Sequence, residues 1–377
     1  MNQRLTFAND LRGLAALSVL VSHFMHNIWV LRSAMGTLAN VIMPPEAAVP
    51  TPWYIELLGR IPAFDWGGYG VAMFFLVSGL VIPLSIKKYS LAGFLAGRVL
   101  RLWPVYAAGF TVSLLSIWIG GKAFNLSFPY SGEQVGIHYV LGLRDLLWFP
   151  NIDGVIWTLE IEVKFYVVCA LLAWFIRRND CRMFFVPILI GIASFALVPV
   201  MNSHTGADRI YQLLYVFSIS AQFIIFMMIG TVFAFWNDRA IKTDRAIAIA
   251  TVLLGLFLAL TCWGPLHVLP VKRLGYIAAI VTFLLYYKLN KHSHRITRFL
   301  SDISFPLYAS HGMLGYAIIA VMLDKGATPL LAIAAAFACS IATAWALHRC
   351  IEAPSHKIGQ RIARALTRKT EAASFPA

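Results

Sequence analysis

The chain is poor in charge. Only 13% of its 377 residues are Asp, Glu, Lys or Arg, about half the share usual in soluble domains. That scarcity excludes a disordered chain, a coiled coil and an ordinary cytosolic enzyme. Cysteine is scarce as well: Cys169, Cys181, Cys262, Cys339 and Cys350 are the whole set, and no pair has metal-ligand or redox spacing. A disulfide scaffold and a zinc module are thereby excluded, and the cysteines read as small buried hydrophobes. There is no repeat of fixed period and no low-complexity stretch. Nor is there a Walker P-loop, an H-E-x-x-H, a G-x-S-x-G or a cluster of carboxylates suited to a divalent ion, so no bound metal is expected. No interval between apolar runs is long enough for a soluble domain; the longest are 32–66 and 122–155.

What is abundant is apolar surface. Hydrophobic residues make up 59% of the chain and mean hydropathy is +0.73. A soluble fold of this size cannot hide so much. The composition predicts an all-α, polytopic transmembrane helical bundle, and the 11 Trp suit the aromatic belts at membrane–water interfaces. A spanning helix needs about 20 apolar residues. Ten runs qualify, near 13–31, 67–86, 103–121, 156–176, 183–201, 211–236, 246–263, 274–289, 305–323 and 329–348, the eighth being short. The first is not a cleavable signal, because it is long, carries two histidines and lacks a small-residue cleavage pattern.

The formal charge is +14. Basic excess in a soluble protein would suggest nucleic acid; here the positive-inside bias of membrane proteins accounts for it, and no nucleic-acid partner is expected. With the N-terminus cytoplasmic, only Arg32, Arg60, Lys122, Arg144, Arg209, Lys272, Arg273 and Lys325 fall on the opposite side. Arg12 and Lys164 lie in or at the edge of spans, and every other base is cytoplasmic. Both termini are therefore expected inside, with an even number of spans. The division is a membrane domain over 1–350 and a basic cytoplasmic tail over 351–377. In the tail Ile358, Ile362 and Leu366 recur every four residues among Lys357, Arg361, Arg364 and Arg368. It reads either as an amphipathic helix on anionic lipid or as a solvated basic end retained for topology.

Ionisable residues inside spans are costly and mark functional candidates. In FANDLRGLAALSVLVSHF, Arg12 and His23 are eleven residues apart. At 100° per residue that is about 20° past three full turns, with about 16 Å of rise. The two share a face, Arg12 at the cytoplasmic edge and His23 deep in the helix, and His26 one turn on is expected on the same face. His23 is either a core histidine bonded to a neighbouring helix or a neutral imidazole able to take a proton from a hydroxyl.

In WTLEIEVKFY, Glu160 and Lys164 have the favourable i,i+4 order and are expected to pair. Glu162 points about 200° away, shares its face with Phe165 and Tyr166, and has no local partner. An unpaired carboxylate there needs a cation, a proton or water; His23 is the expected partner, with Glu162 orienting the imidazole. In GGYGVAMFFLVSGL, Gly67, Gly68, Gly70, Ser78 and Gly79 allow close helix approach. Arg98 and Arg101 lie three apart before Trp103-Pro104. They either clamp phosphate or serve topology and lipid headgroups. His311 lies one to two turns inside the ninth span, and Glu352 sits near His348 and Arg349 at the cytoplasmic face, where a salt bridge would close the bundle.

These segments resemble the acyltransferase-3 membrane proteins, which include O-acetyltransferases of lipopolysaccharide O-antigen and rhizobial Nod factor. Arg12 to His23, with Asp10, is similar to the family's R-x10-H; GVAMFFLVSGL to its glycine–phenylalanine–serine-glycine span; RVLRLWPVY to its R-x-x-R-x-x-P. WTLEIEVKFY resembles W-S-L-x-x-E-x-x-F-Y, with Thr158 in place of serine and the glutamate at Glu162; ISFPLYASH and IEAP resemble the motifs ending at His311 and at Glu352 and Pro354. Six segments in one order over nearly the whole chain make the resemblance specific.

The resemblance implies ten core spans in a bacterial inner membrane. It implies transfer of an acyl group, acetyl by family frequency, from acyl-CoA to a carbohydrate hydroxyl. Many members append a hydrolase-like domain and this chain has none, so acceptor handling is expected from the core or another protein. By the same analogy Arg98 and Arg101, assisted by Arg12, would hold the phosphates of CoA. Ser78, Gly79 and His311 join that cofactor set. His23 and Glu162 would be catalytic, His23 as general base or transient acyl carrier. Trp157, Tyr166 and the 122–155 loop would line the acceptor side. The rival class is a transporter or flippase for a lipid-linked glycan, since buried Arg, His and Glu also build proton relays; binding of CoA discriminates the two.

Overall fold

In a computed structural model the described residues are 6–60, 64–266, 273–289 and 295–374. The bases Arg4, Lys272 and Lys291 fall outside them. The described residues form helices and loops with no strand. Eight of the helices are long and apolar enough to cross a membrane. In chain order the main elements are α1 (Phe7–Val30), α2 (Trp66–Lys88), α3 (Leu91–Ala123), α4 (Ile156–Leu171), α5 (Cys181–Asn202) and α6 (Arg209–Asn237). There follow α7 (Thr243–Trp263), α8 (Arg273–Leu289), α9 (Ser304–Asp324), α10 (Pro329–Leu347) and α11 (Ala353–Ser374).

The two expected spans that fall short are the fourth and the eighth. The run at 156–176 breaks at Leu172, leaving α4 with 16 residues, and α8 has 17.

Helix α2 is the hub, packed against α1, α6 and α8; α9 bridges α3 and α10. Small residues set the closest approach. A Cβ on Gly79 would stand 2.0 Å from the Met227 carbonyl oxygen, and one on Gly230 would stand 2.3 Å from that of Leu76, so α2 and α6 cross backbone to backbone. Gly79 is thus a packing residue, and it does not line the cavity that its neighbour Ser78 lines.

Two departures from α geometry matter for function. Residues His23–Asn27 form a π-turn inside α1, a feature often found at functional sites. The wider turn takes His26 off His23's face, and its ring lies 3.8 Å from the Cβ position of Gly59. A second π-turn, His348–Glu352, joins α10 to α11. There Glu352 pairs with His348 at 2.8 Å. Helix α11 packs on the first half of α3 through Gly359 and Ala363 against Leu100, Gly97 and Gly93, and Thr367 Oγ1 accepts from the Ser90 N–H. Ile358 and Ile362 stay exposed beside the basic residues, so the helix keeps an unpacked amphipathic side.

Candidate active site

A cavity of about 230 Å³ opens between α1, α2, α3, α4 and α9. Its charged lining is Arg12 from α1, Arg98 and Arg101 from α3 and Glu162 from α4. Glu162 Oε1 accepts from Ser78 Oγ at 2.9 Å and from the Tyr166 hydroxyl at 2.5 Å. Arg98 donates to Ser85 Oγ at 2.5 Å, and its guanidinium lies over the rings of Phe94 and Tyr166, 5.6 and 5.7 Å from their centroids. Arg12 lies within the electrostatic reach of Glu352, Glu162 and Arg101. The lining has three guanidinium groups and one carboxylate, and with Glu352 also in reach of Arg12 positive charge still exceeds negative around the space. A second cavity, shared through Arg98 and Arg101, leads outward past Ser85, Lys88, His356 and Gln360. The two arginines therefore stand at the junction of an inner chamber and an outer basic vestibule.

His23 is elsewhere. Its Nδ1 lies 2.6 Å from the Tyr316 hydroxyl, and its ring meets that of His311 edge-on with centroids 4.8 Å apart. Tyr316 is hydrogen-bonded in turn by the Asn27 side chain. His311 Nδ1 lies 3.0 Å from the carbonyl oxygens of Leu307 and Tyr308, so that nitrogen carries its proton and Nε2 keeps a lone pair. That Nε2 is buried without a protein partner.

The inner chamber and the histidines are linked through Tyr308. This residue lines the chamber, its hydroxyl lies 2.6 Å from Thr158 Oγ1, and its ring lies 6.1 Å from that of His311. Val19 and Val155 pack beside it, with Phe74.

Several expectations are corrected by this geometry. Glu162 is bound to Ser78 and Tyr166, and the expected His23–Glu162 contact is not made; the partner of His23 is Tyr316. The π-turn and the length of α1 put the imidazole beyond the Tyr308 layer. Glu160 and Lys164 do not pair with each other. Arg144 grips Glu160 with two nitrogens, Nε at 2.8 Å, and Lys164 bonds Asp145. The 139–155 loop brings both partners against α4, and a two-nitrogen guanidinium contact is stronger than a local i,i+4 pair. Tyr166 lines the arginine chamber, and His311 adjoins His23 and not the arginines. Arg12, Arg98, Arg101, Ser78 and Glu162 do come together.

Trp157 lines a separate, larger cavity of about 760 Å³ with Arg144, Asp145 and Glu160. The loop between them bends at Asp153, whose Oδ1 accepts from the N–H groups of Val155 and Ile156 and starts α4. Burial pushes the Asp153 carboxyl up to about 6, against the pull of those two N–H groups. Next to it, the Cβ position of Gly154 lies 3.8 Å from the His23 ring. Gly154, His311 and Tyr316 were not legible as neighbours of His23, since no spacing rule joins segments so distant in sequence.

Residues 7–349 match the Acyl_transf_3 family model, described as an acyltransferase domain. The chain belongs to the acyltransferase-3 family. Its eight apolar helices and its family make it a multi-pass membrane protein. The chain is also similar to Nodulation protein 10 of Rhizobium leguminosarum bv. viciae, 26% identical over 141 residues. The match covers 33% of this chain and 36% of that protein. No solved structure matches the chain.

Proposed function

We propose that this acyltransferase-3 protein moves an acyl group, acetyl in the first instance, from acyl-CoA to a carbohydrate hydroxyl. The observation that carries the donor half is the chamber of Arg12, Arg98 and Arg101 with a single carboxylate. Such a chamber needs an anion, and guanidinium groups bind phosphate oxygens by charge-assisted hydrogen bonds. CoA brings several phosphates on a narrow, flexible arm. Its nucleotide end would occupy the outer vestibule and its pyrophosphate the two-arginine junction. The acylated arm would then run inward past Tyr308. Glu162, held by Ser78 and Tyr166, braces the arginines and keeps the chamber from excess self-repulsion.

His23 is the proposed general base. In the tautomer this role needs, Nδ1–H of His23 donates to the Tyr316 oxygen, which leaves Nε2 with the lone pair. Nε2 takes the acceptor's hydroxyl proton as its oxygen adds to the thioester carbonyl carbon. The tetrahedral intermediate expels the CoA thiolate, which takes the proton from His23, and the ester is released. The acceptor class follows from the family resemblance, and the bacterial inner membrane follows with it.

The test is titration of CoA into protein held in lipid nanodiscs. Wild type is expected to bind, and the Arg98→Ala/Arg101→Ala double variant to lose at least 10-fold in affinity at unchanged helix content. Unchanged affinity would leave the arginines with a purely topological role, and no binding by the wild type would remove the donor reading.

A further inference from the structure

The 760 Å³ cavity differs in chemistry from the arginine chamber. Its size falls in the range of built small-molecule sites. The charged groups beside it cancel: Arg144 is held by Glu160, and Asp145 by Lys164. Its walls are broad rings, with Trp148, Trp157, Tyr211 and Tyr215 all lining it. Trp148 meets Tyr215 edge-on with centroids 5.2 Å apart. The backbone of Trp148 is left-handed, φ 61°, a conformation uncommon for bulky residues and costly to hold, and it sets the indole at the cavity wall.

One buried atom in this wall has no partner. Asp145 is 9% exposed and its Oδ2 is taken by Lys164, yet Oδ1 is buried without a hydrogen bond. A buried carboxylate oxygen left alone is expensive, and as an acceptor it calls for an O–H or N–H donor. A neutral cavity with aromatic faces and a free carboxylate oxygen suits a polyhydroxyl ring: C–H faces stack on the rings, whose faces carry negative quadrupole charge, and one hydroxyl donates to Asp145. An anionic ligand would find no free cation here, and an acyl chain would leave Oδ1 unpaired. The wall is also the neighbour of the chemistry. Residues Asn151 and Trp157 face this cavity, while Gly154 between them abuts His23.

We infer that this cavity is a sugar-binding subsite that holds a neutral pyranose of the acceptor on Trp148, Tyr211 and Tyr215 with one hydroxyl on Asp145. The inference rests on the acyltransferase reading for the acceptor's role, and the binding itself is measured without any donor.

Chitotriose, maltotriose and mannotriose would be titrated separately into the full chain in nanodiscs, free of maltoside detergent, with tryptophan emission as the signal. A second titration with CoA reads the donor site. At least one trisaccharide is expected to shift the emission saturably. Trp148→Ala and Asp145→Asn should each weaken that binding by at least 10-fold with CoA affinity unchanged, and Tyr211→Phe, which keeps the ring, should retain it. If none of the three sugars binds the wild type, or if the variants bind as wild type does, the subsite is wrong, whatever CoA does. Native mass spectrometry finding a phospholipid lost in Trp148→Ala, and not displaced by sugar, would also overturn it. Failure of CoA to bind while a sugar binds would instead sink the donor reading and leave the subsite standing.

Discussion

The Nδ1 of His23 and the hydroxyl of Tyr316 lie 2.6 Å apart, joining α1 to α9. The imidazole is thus oriented by a phenol and not by a carboxylate. A phenol is neutral, so this pair can fix the tautomer without adding charge to an apolar region. The anionic group expected in that position, Glu162, is placed among arginines instead.

On the proposed mechanism Tyr316 is a positioning residue, and Tyr316→Phe removes the oxygen to which Nδ1–H would donate. The variant should lose about 10- to 100-fold in kcat with KM for acyl-CoA unchanged, and its pH–rate profile should shift, because the imidazole's hydrogen bond is gone. A variant with the wild-type pH profile would leave Tyr316 a packing role only.

The Arg144–Glu160 pair makes a second prediction. The Glu160 side chain is 2% exposed and that of Arg144 is 12%. Breaking one partner of a buried pair costs about 3–5 kcal/mol. Glu160→Gln should therefore lower thermal stability and yield sharply, and Arg144→Met/Glu160→Leu should recover most of the loss. A stable Glu160→Gln protein would mean that the pair carries little structural weight.

How far the sequence reached depends on which contacts are local. The helical character and the apolar runs follow from composition alone. Arg98 and Arg101 were legible because three residues put them on one face, and Arg12 and His23 because eleven residues nearly close three turns. The choice of partners was not. Glu162 accepts from Ser78, 84 residues away, and His23 meets a tyrosine 293 residues on. Helix-face geometry fixes where a side chain leaves its own helix and says nothing about which helix lies opposite. The i,i+4 reading of Glu160 and Lys164 failed for the same reason, since partners from the 139–155 loop outcompeted the local pair. The π-turn at His23 is likewise set by packing between helices and not by a spacing pattern.

Asp153 gives a pH dependence whose sign can be worked out. Its folded carboxyl holds a proton up to about pH 6, against an ordinary value of 3.8. Between those values the folded state binds more protons than the unfolded chain, so this group's contribution to stability falls as pH rises through the window. Asp153→Asn keeps the carbonyl oxygen that caps α4 and removes the charge. The Tm of the variant relative to wild type should therefore rise from pH 4 to pH 7. A difference that does not change with pH would show that Asp153 is not held in its protonated form.

The most direct test is acyl transfer by His23→Ala, measured from labelled acetyl-CoA into the surface glycan of membranes carrying the protein, together with CoA affinity of the same variant. A positioned general base is typically worth about 10²–10⁴-fold in rate. The account predicts a loss of that size with CoA binding unchanged, because the proposed phosphate site, Arg12, Arg98 and Arg101, lies beyond the Tyr308 layer from His23. Transfer within a few-fold of wild type would contradict it and remove His23 from the chemistry.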